Sequence, residues 1–206
     1  MKLWPFITSV CVLAIAGCSS SVHPLLTDAD FAHDLQLNGT WAQIDPPEIK
    51  LRIPRFKCEE FDNNSGYDVA LIPEDKADPT DERGNKIPRE YEMRIGKLGG
   101  DHYLQLARSE QISGGPAFFE GVVTYTWAKV SLDDDVLKIY PVDDAELERL
   151  LPKSGLAHLM HKPSDFARNI VITESSAKLQ AFVAKHHEEV FSKTPLIFRR
   201  KTENSD

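Results

Sequence analysis

The sequence predicts a mainly β domain with two helices, an α+β chain whose strands close into an antiparallel β-barrel, with a β-sandwich as the alternative. Three observations lead there. Short β-branched and aromatic runs recur from residue 38 to residue 201, separated by turn residues as in meandering antiparallel strands. Only two segments, both late in the chain, place apolar residues at helical spacing. Two of the three cysteines, Cys11 and Cys18, fall in or at the end of an N-terminal leader, which leaves Cys58 without a disulfide partner. Closure into a barrel removes the sheet edges that such a cysteine-poor domain must otherwise protect.

The elements follow in order. Residues 1–17 read as a signal peptide: Lys2, then an apolar run from Leu3 to Ala16 that falls short of the ~20 residues a membrane-crossing helix needs. Its end, Leu13-Ala14-Ile15-Ala16-Gly17-Cys18, resembles the bacterial lipobox, in which small residues precede a cysteine. The resemblance implies that the Cys18 thiol takes a diacylglyceryl group and that cleavage then frees its amine for a further acyl chain, a double anchor that holds firmly. Ordinary secretion is the alternative, because Ala14-Ile15-Ala16 also fits a small-x-small cleavage site. Ser19 after the cysteine, by resemblance to lipoproteins of diderm bacteria, implies the outer membrane facing the periplasm, with the inner membrane as the other address. Residues 18–37 read as a tether with one short helical turn, where Thr27 and Asp30 have capping-box spacing and Phe31 and Leu35 lie a turn apart.

From 38 to 201 a single domain is expected, with residues 202–206 as a polar tail. Strands are predicted at 38–44, 50–57, 67–72, 90–97, 102–108, 118–131, 136–141, 169–173 and 195–201. Asn63-Asn64-Ser65-Gly66, Leu98-Gly99-Gly100-Asp101, Ser113-Gly114-Gly115-Pro116 and Asp133-Asp134-Asp135 supply the turns, and the charged, proline-bearing stretch 73–89 reads as a long loop. A first helix starts at Asp143 or Asp144, with Glu146 in capping position and Leu147, Leu150 and Leu151 on one face. A second begins after Ser175 and places Leu179, Phe182, Val183 and His186 on one stripe until Pro195 ends it.

At Leu37-Asn38-Gly39-Thr40-Trp41 the chain resembles the opening strand of lipocalin-like, calycin-type proteins. The resemblance implies that Trp41 plugs the closed end of the barrel and is covered by a basic side chain of the last strand, here Arg199 or Arg200. The chain as a whole is similar to a group of uncharacterised bacterial lipoproteins that share a lipobox, a Leu-x-Gly-x-Trp strand and a terminal strand, helix and strand ending in Phe198-Arg199-Arg200. A charged loop before the fourth strand and a second helix depart from the lipocalin pattern.

Composition narrows the function. With 24 basic against 32 acidic residues in 206, and the basic ones scattered, the chain lacks the basic stripe that nucleic acid requires, and anionic headgroups are disfavoured for the same reason. His158 and His161 would sit a turn apart in a helix, but no third ligand completes a metal site; His186-His187 point about 100° apart on a helix and read as surface residues. Asp75, Asp78, Asp81 and Glu82 lack the order of a calcium loop, and Cys58 reads as a structural thiol. No catalytic motif, metal site or cofactor fingerprint is read, and an enzyme would have to gather His102, His158 or His161 in a pocket. Alternation along the longest strand sends Phe119, Tyr125 and Trp127 to one face and Val122, Thr124, Thr126, Ala128 and Val130 to the other. If the aromatic face points inward, Phe119, Tyr125 and Trp127 line a cavity for a small apolar ligand; otherwise the rings fill a core. The expectation is thus a non-catalytic binding module for a small apolar ligand or an envelope protein, held to the lipid bilayer through acylated Cys18, with a structural or assembly role as the alternative.

Overall fold

A computed structural model describes residues 19–32, 34–44, 55–60, 66–72, 90–108, 123–164 and 167–201. A three-residue strand, β1 (Ser19–Ser21), comes first and lies outside the barrel. Then β2 (Gly39–Gln43), β3 (Arg55–Glu60), β4 (Gly66–Ile72), β5 (Glu90–Leu98), β6 (Asp101–Arg108), β7 (Tyr125–Asp133) and β8 (Val136–Pro141) each pair antiparallel with the next. Helix α1 (Asp144–Ser154), strands β9 (His158–Ser164) and β10 (Ala167–Ile172) and helix α2 (Ser176–His186) follow as one insertion. The last strand, β11 (Leu196–Arg200), returns between β8 and β2 and closes an eight-stranded antiparallel barrel of lipocalin-like type. The barrel alternative therefore holds over the sandwich.

Period-two alternation fills the interior. Trp41, Phe56, Cys58, Tyr67, Val69, Met93, Ile95, Leu104, Leu106, Ala128, Val130, Leu137, Ile139, Leu196 and Phe198 come from all eight strands and form one buried cluster, joined by Leu35 and Leu37. Trp41 stacks at 6.4 Å from Phe56, which meets the edge of Phe198 at 5.0 Å. The strands match their expected positions to within a few residues where both are described; residues 45–54 and 109–122, with the expected starts of the second and sixth strands, lie outside the described residues, as does the 73–89 loop.

A second buried layer covers the outside of one wall. Tyr103 on β6 and Trp127 on β7 point outward to meet Leu147, Leu150 and Leu151 of α1, Leu179, Phe182 and Val183 of α2, Ile170 and Ile172 of β10, and Val190 and Phe191. Both helices form as their sequences dictate. Asp143 accepts from the backbone N–H groups of Ala145 and Glu146 at 3.0 and 3.2 Å, and Gly155 ends α1 in the left-handed conformation at φ 71°. Backbone bonds from Asp143 N–H to Val190 O and from Ser192 N–H to Pro141 O, at 2.9 and 2.8 Å, clip the two helical segments together.

Two expectations are corrected. Residues 19–37 are not a tether. β1 runs parallel to β10, Ser19 opposite Ile170 and Ser21 opposite Ile172, and Leu25, Leu26, Leu35 and Leu37 are buried. Leu26 N–H donates to the buried Gln105 at 3.0 Å and Gln180 donates to Leu25 O at 2.8 Å, so the segment is held between the barrel wall and α2. The expected Thr27–Asp30 capping box is present, in a single 3-10 turn. The second concerns His158–Ser164, where no strand was expected: it forms β9, and His158 and His161 therefore lack the helical spacing that a shared metal would have used.

Candidate functional site

The closed end of the barrel is built around Trp41. The tryptophan is fully buried, and its indole N–H donates to Leu37 O at 2.8 Å, which returns the chain on itself over the barrel base. Tyr67 adds a second tie from inside, its hydroxyl donating to Leu35 O at 2.8 Å. Of the two candidate arginines, Arg200 is the cover: its guanidinium carbon lies 4.5 Å from the Trp41 ring centre, and the two residues are register partners across β11 and β2. Arg199, one residue earlier, points outward and is exposed. Arg200 also donates to Asn38 O, to Gln36 O at 2.7 Å and to Asp135 at 3.0 Å, so one side chain joins the first barrel strand, the last one and the β7–β8 hairpin. Gly39 passes beneath it with φ +122°, a conformation that favours glycine. The arrangement is a structural plug.

Cys58 sits inside the same cluster, 1% exposed, and burial pushes its thiol up to about 12, which keeps it protonated and unreactive.

Of the aromatic trio read from the sequence, Tyr125 and Trp127 do not line the interior. Ala128 and Val130 point into the barrel, which turns Trp127 outward into the second layer; there it meets Phe191 edge-on at 5.8 Å, beside Tyr103 at 5.6 Å from the same ring. Burial pushes the Tyr103 hydroxyl up to about 12. Trp127 is 1% exposed, and its indole N–H meets no acceptor among the described residues. Tyr125, two residues earlier on the same face, is partly exposed and pairs with Ser21 of β1. The alternation was legible; which face was inner was not, because both faces of β7 are apolar enough to be buried. Phe119 and Cys18 lie outside the described residues.

The remaining polar groups are dispersed. His102 on β6 has its Nε2 2.9 Å from Asp34 Oδ1, and Lys97, its partner across β5, donates to the other carboxylate oxygen. The Lys97 bond first, and the His102 bond second, hold the Asp34 carboxyl at about 2, below its usual 3.8. Sequence reasoning missed Asp34, because it lies in the supposed tether. His158 is on β9, its Nδ1 2.8 Å from Leu156 O, and His186 faces Glu189, which also takes Arg149 of α1 at 2.6 Å. These are surface pairings that tie elements together. Among the described residues no three His, Cys, Asp or Glu side chains gather as a metal ion requires.

The sheet β1–β10–β9 is the other distinctive surface. β9 forms its outer edge, and Leu159 and Met160 on it are 55% and 37% exposed, the large apolar side chains most open to solvent among the described residues. No family model matches the sequence, and no curated protein or solved structure is significantly similar to it.

Proposed function

We propose that the chain is an exported lipoprotein, anchored in the outer membrane through acylated Cys18 and facing the periplasm, whose barrel is a non-catalytic module that binds an envelope protein on its outer surface. The lipobox-like leader supports the anchor. The observation that carries the choice of a protein over a small apolar ligand is the filled interior: large side chains from all eight strands occupy it, and Trp127 and Tyr125, offered by the sequence as a ligand lining, face the other way. His102 faces Asp34, His158 faces Leu156 O and Cys58 is buried inside the barrel, a dispersal that supports a non-catalytic reading.

Native mass spectrometry of the mature chain tests this. The expected result is the mass of the polypeptide with its acyl groups alone. A further apolar mass that is lost on unfolding would restore the ligand reading. The anchor has its own test: Cys18→Ser should abolish partitioning into the detergent phase, and unchanged partitioning would remove the lipidated state from the proposal.

A further inference from the structure

Asn38-Gly39 is the one Asn-Gly step in the 206 residues. Such a step is labile in a free chain, because glycine has no side chain to shield its amide nitrogen from the asparagine amide before it. Attack of the Gly39 nitrogen on Asn38 Cγ forms a C–N bond and breaks the bond from Cγ to Nδ2. The Gly39 amide proton leaves with that nitrogen as ammonia, and water then opens the five-membered imide at either carbonyl, giving an aspartyl or an isoaspartyl residue. Nothing is oxidised or reduced, and water is the co-reactant. In the folded protein water has access, since Asn38 is exposed; what the fold withholds is a free pair of reacting groups. Asn38 Oδ1 accepts from the Glu60 backbone N–H at 2.9 Å, and Asn38 Nδ2 donates to the Glu60 carboxylate at 3.2 Å. The Asn38 carbonyl accepts from Arg200, so β3 holds the side chain and β11 the backbone. The attacking nitrogen is held as well. Lys201 N–H donates to Thr40 O and Ile44 N–H to Ile197 O, both at 2.8 Å, so the even residues of this stretch turn their backbone groups to β11. Alternation along an antiparallel ladder then turns the Gly39 N–H the other way, toward Cys58, its register partner on β3.

The closed end of the barrel is built across this one step. Leu35 O, Gln36 O and Leu37 O lie before it in the chain, and their donors Tyr67, Arg200 and Trp41 lie after it. An isoaspartyl residue at position 38 adds one carbon to the backbone and puts the three carbonyls out of step with the three donors. An aspartyl residue exchanges the Nδ2 donor for a carboxylate that faces the carboxylate of Glu60. We propose that Asn38-Gly39 is a gated deamidation site: the closed barrel bars the reaction by holding both groups, opening of β2 from β3 admits it, and the product keeps the closed end from re-forming. The step is thus a covalent record of whether the barrel has opened.

The test incubates the intact chain at mildly alkaline pH, folded in buffer or unfolded in guanidinium. The peptide that contains position 38 is followed by mass, and electron-based fragmentation separates aspartyl from isoaspartyl product. Conversion at position 38 is expected to be at least ~tenfold slower in the folded chain, because only the opened fraction reacts. Equal rates in the two states overturn the gate. Asn38→Gln, compared in the unfolded chain so that its folding is immaterial, should remove the mass gain from that peptide, and a gain that persists overturns the assignment to this step. The consequence has a separate reading. Chain deamidated in guanidinium and returned to buffer is fractionated, and the isoaspartyl fraction is compared with chain that was unfolded only briefly. A lowered melting midpoint and a weakened near-ultraviolet signal from the buried tryptophans are expected; full recovery of both overturns the block on re-forming the closed end.

Discussion

The inside of the barrel and the layer packed on its outer wall share strand β7 yet are assembled by different rules. Inside, successive neighbours each contribute alternate residues, and the polar atoms at the closed end are paired: Trp41 with Leu37 O, Tyr67 with Leu35 O. Outside, the layer is collected from distant parts of the chain: β1 and residues 22–31 from one end, α1, β10 and α2 from the other. There the Trp127 indole N–H is buried with no acceptor among the described residues. The difference separates a plug whose buried polar atoms are paired from a layer collected from both ends of the chain, in which a buried donor meets no described acceptor.

The strongest way to break this contrast is Trp41→Ala. It opens a cavity beneath Arg200 and removes the ring on which that guanidinium stacks, so a loss of about 3–5 kcal/mol is expected in denaturant unfolding. An unchanged midpoint would mean that the plug does not hold the barrel.

Gly96→Ala tests the outer layer without adding to the interior. A Cβ there would stand 2.5 Å from Asp30 O and 2.9 Å from a Leu26 methyl, where residues 26–32 cross β5. The expected cost is about 1–3 kcal/mol, with faster hydrogen exchange confined to residues 22–32. A uniform change across the barrel would show that the two regions are one unit.

A pair of smaller changes compares the two buried indoles directly. Trp41→Phe strands the Leu37 carbonyl, at about 1–3 kcal/mol beyond the packing loss, whereas Trp127→Phe forfeits no described hydrogen bond and should cost less. Equal costs for the two would remove the distinction drawn here between paired and unpaired interior donors.

The smallest effect is on pH. Asp34 is held at about 2 in the folded protein against 3.8 ordinarily, so its ionised form favours folding. That contribution is fully present above the ordinary value and is lost as pH falls through about 2. Asp34 is about half exposed, so solvent screens the effect. Asp34→Asn should flatten the acid limb of the stability curve slightly, and an unaltered limb would mean that Lys97 and His102 do not hold the carboxylate.

Much of the barrel was legible because its elements are local. Alternation marked β4 to β8, the Asp143 cap and Leu147, Leu150 and Leu151 marked α1, and the stripe Leu179, Phe182 and Val183 marked α2. What could not be read depended on distant partners. Ser19-Ser20-Ser21 has no strand propensity of its own; it is a strand because Ile170–Ile172 supplies the backbone partners and because serine is small enough to be buried there, Ser19 donating its hydroxyl to Asp144. The apolar pairs Leu25-Leu26 and Leu35-Leu37 were the available sign that this segment is core. Trp127 shows the second limit: period two assigns faces but not which face is inside, and when helices cover the outer wall both faces are apolar. At the site, Trp41 and the basic cover were read from a five-residue motif, and choosing Arg200 over Arg199 required the register.

The placement of β11 governs when this protein can fold. The strand that closes the ring is the last one in the chain, and it pairs with β2, so Trp41 and Arg200 meet across nearly the whole length of the domain. β1 waits in the same way for β10. Whichever pore or ribosome the polypeptide leaves N-terminus first, its early strands emerge with an open edge and stay unsealed until β11 follows. Long-range closure of this kind is slow, and a chain released short of Leu196 exposes both β2 and β8 as templates for other chains. Strand β11 therefore acts as a timer for the N-terminal half: the ring has no partner for the outer edges of β2 and β8 until Leu196–Arg200 arrives.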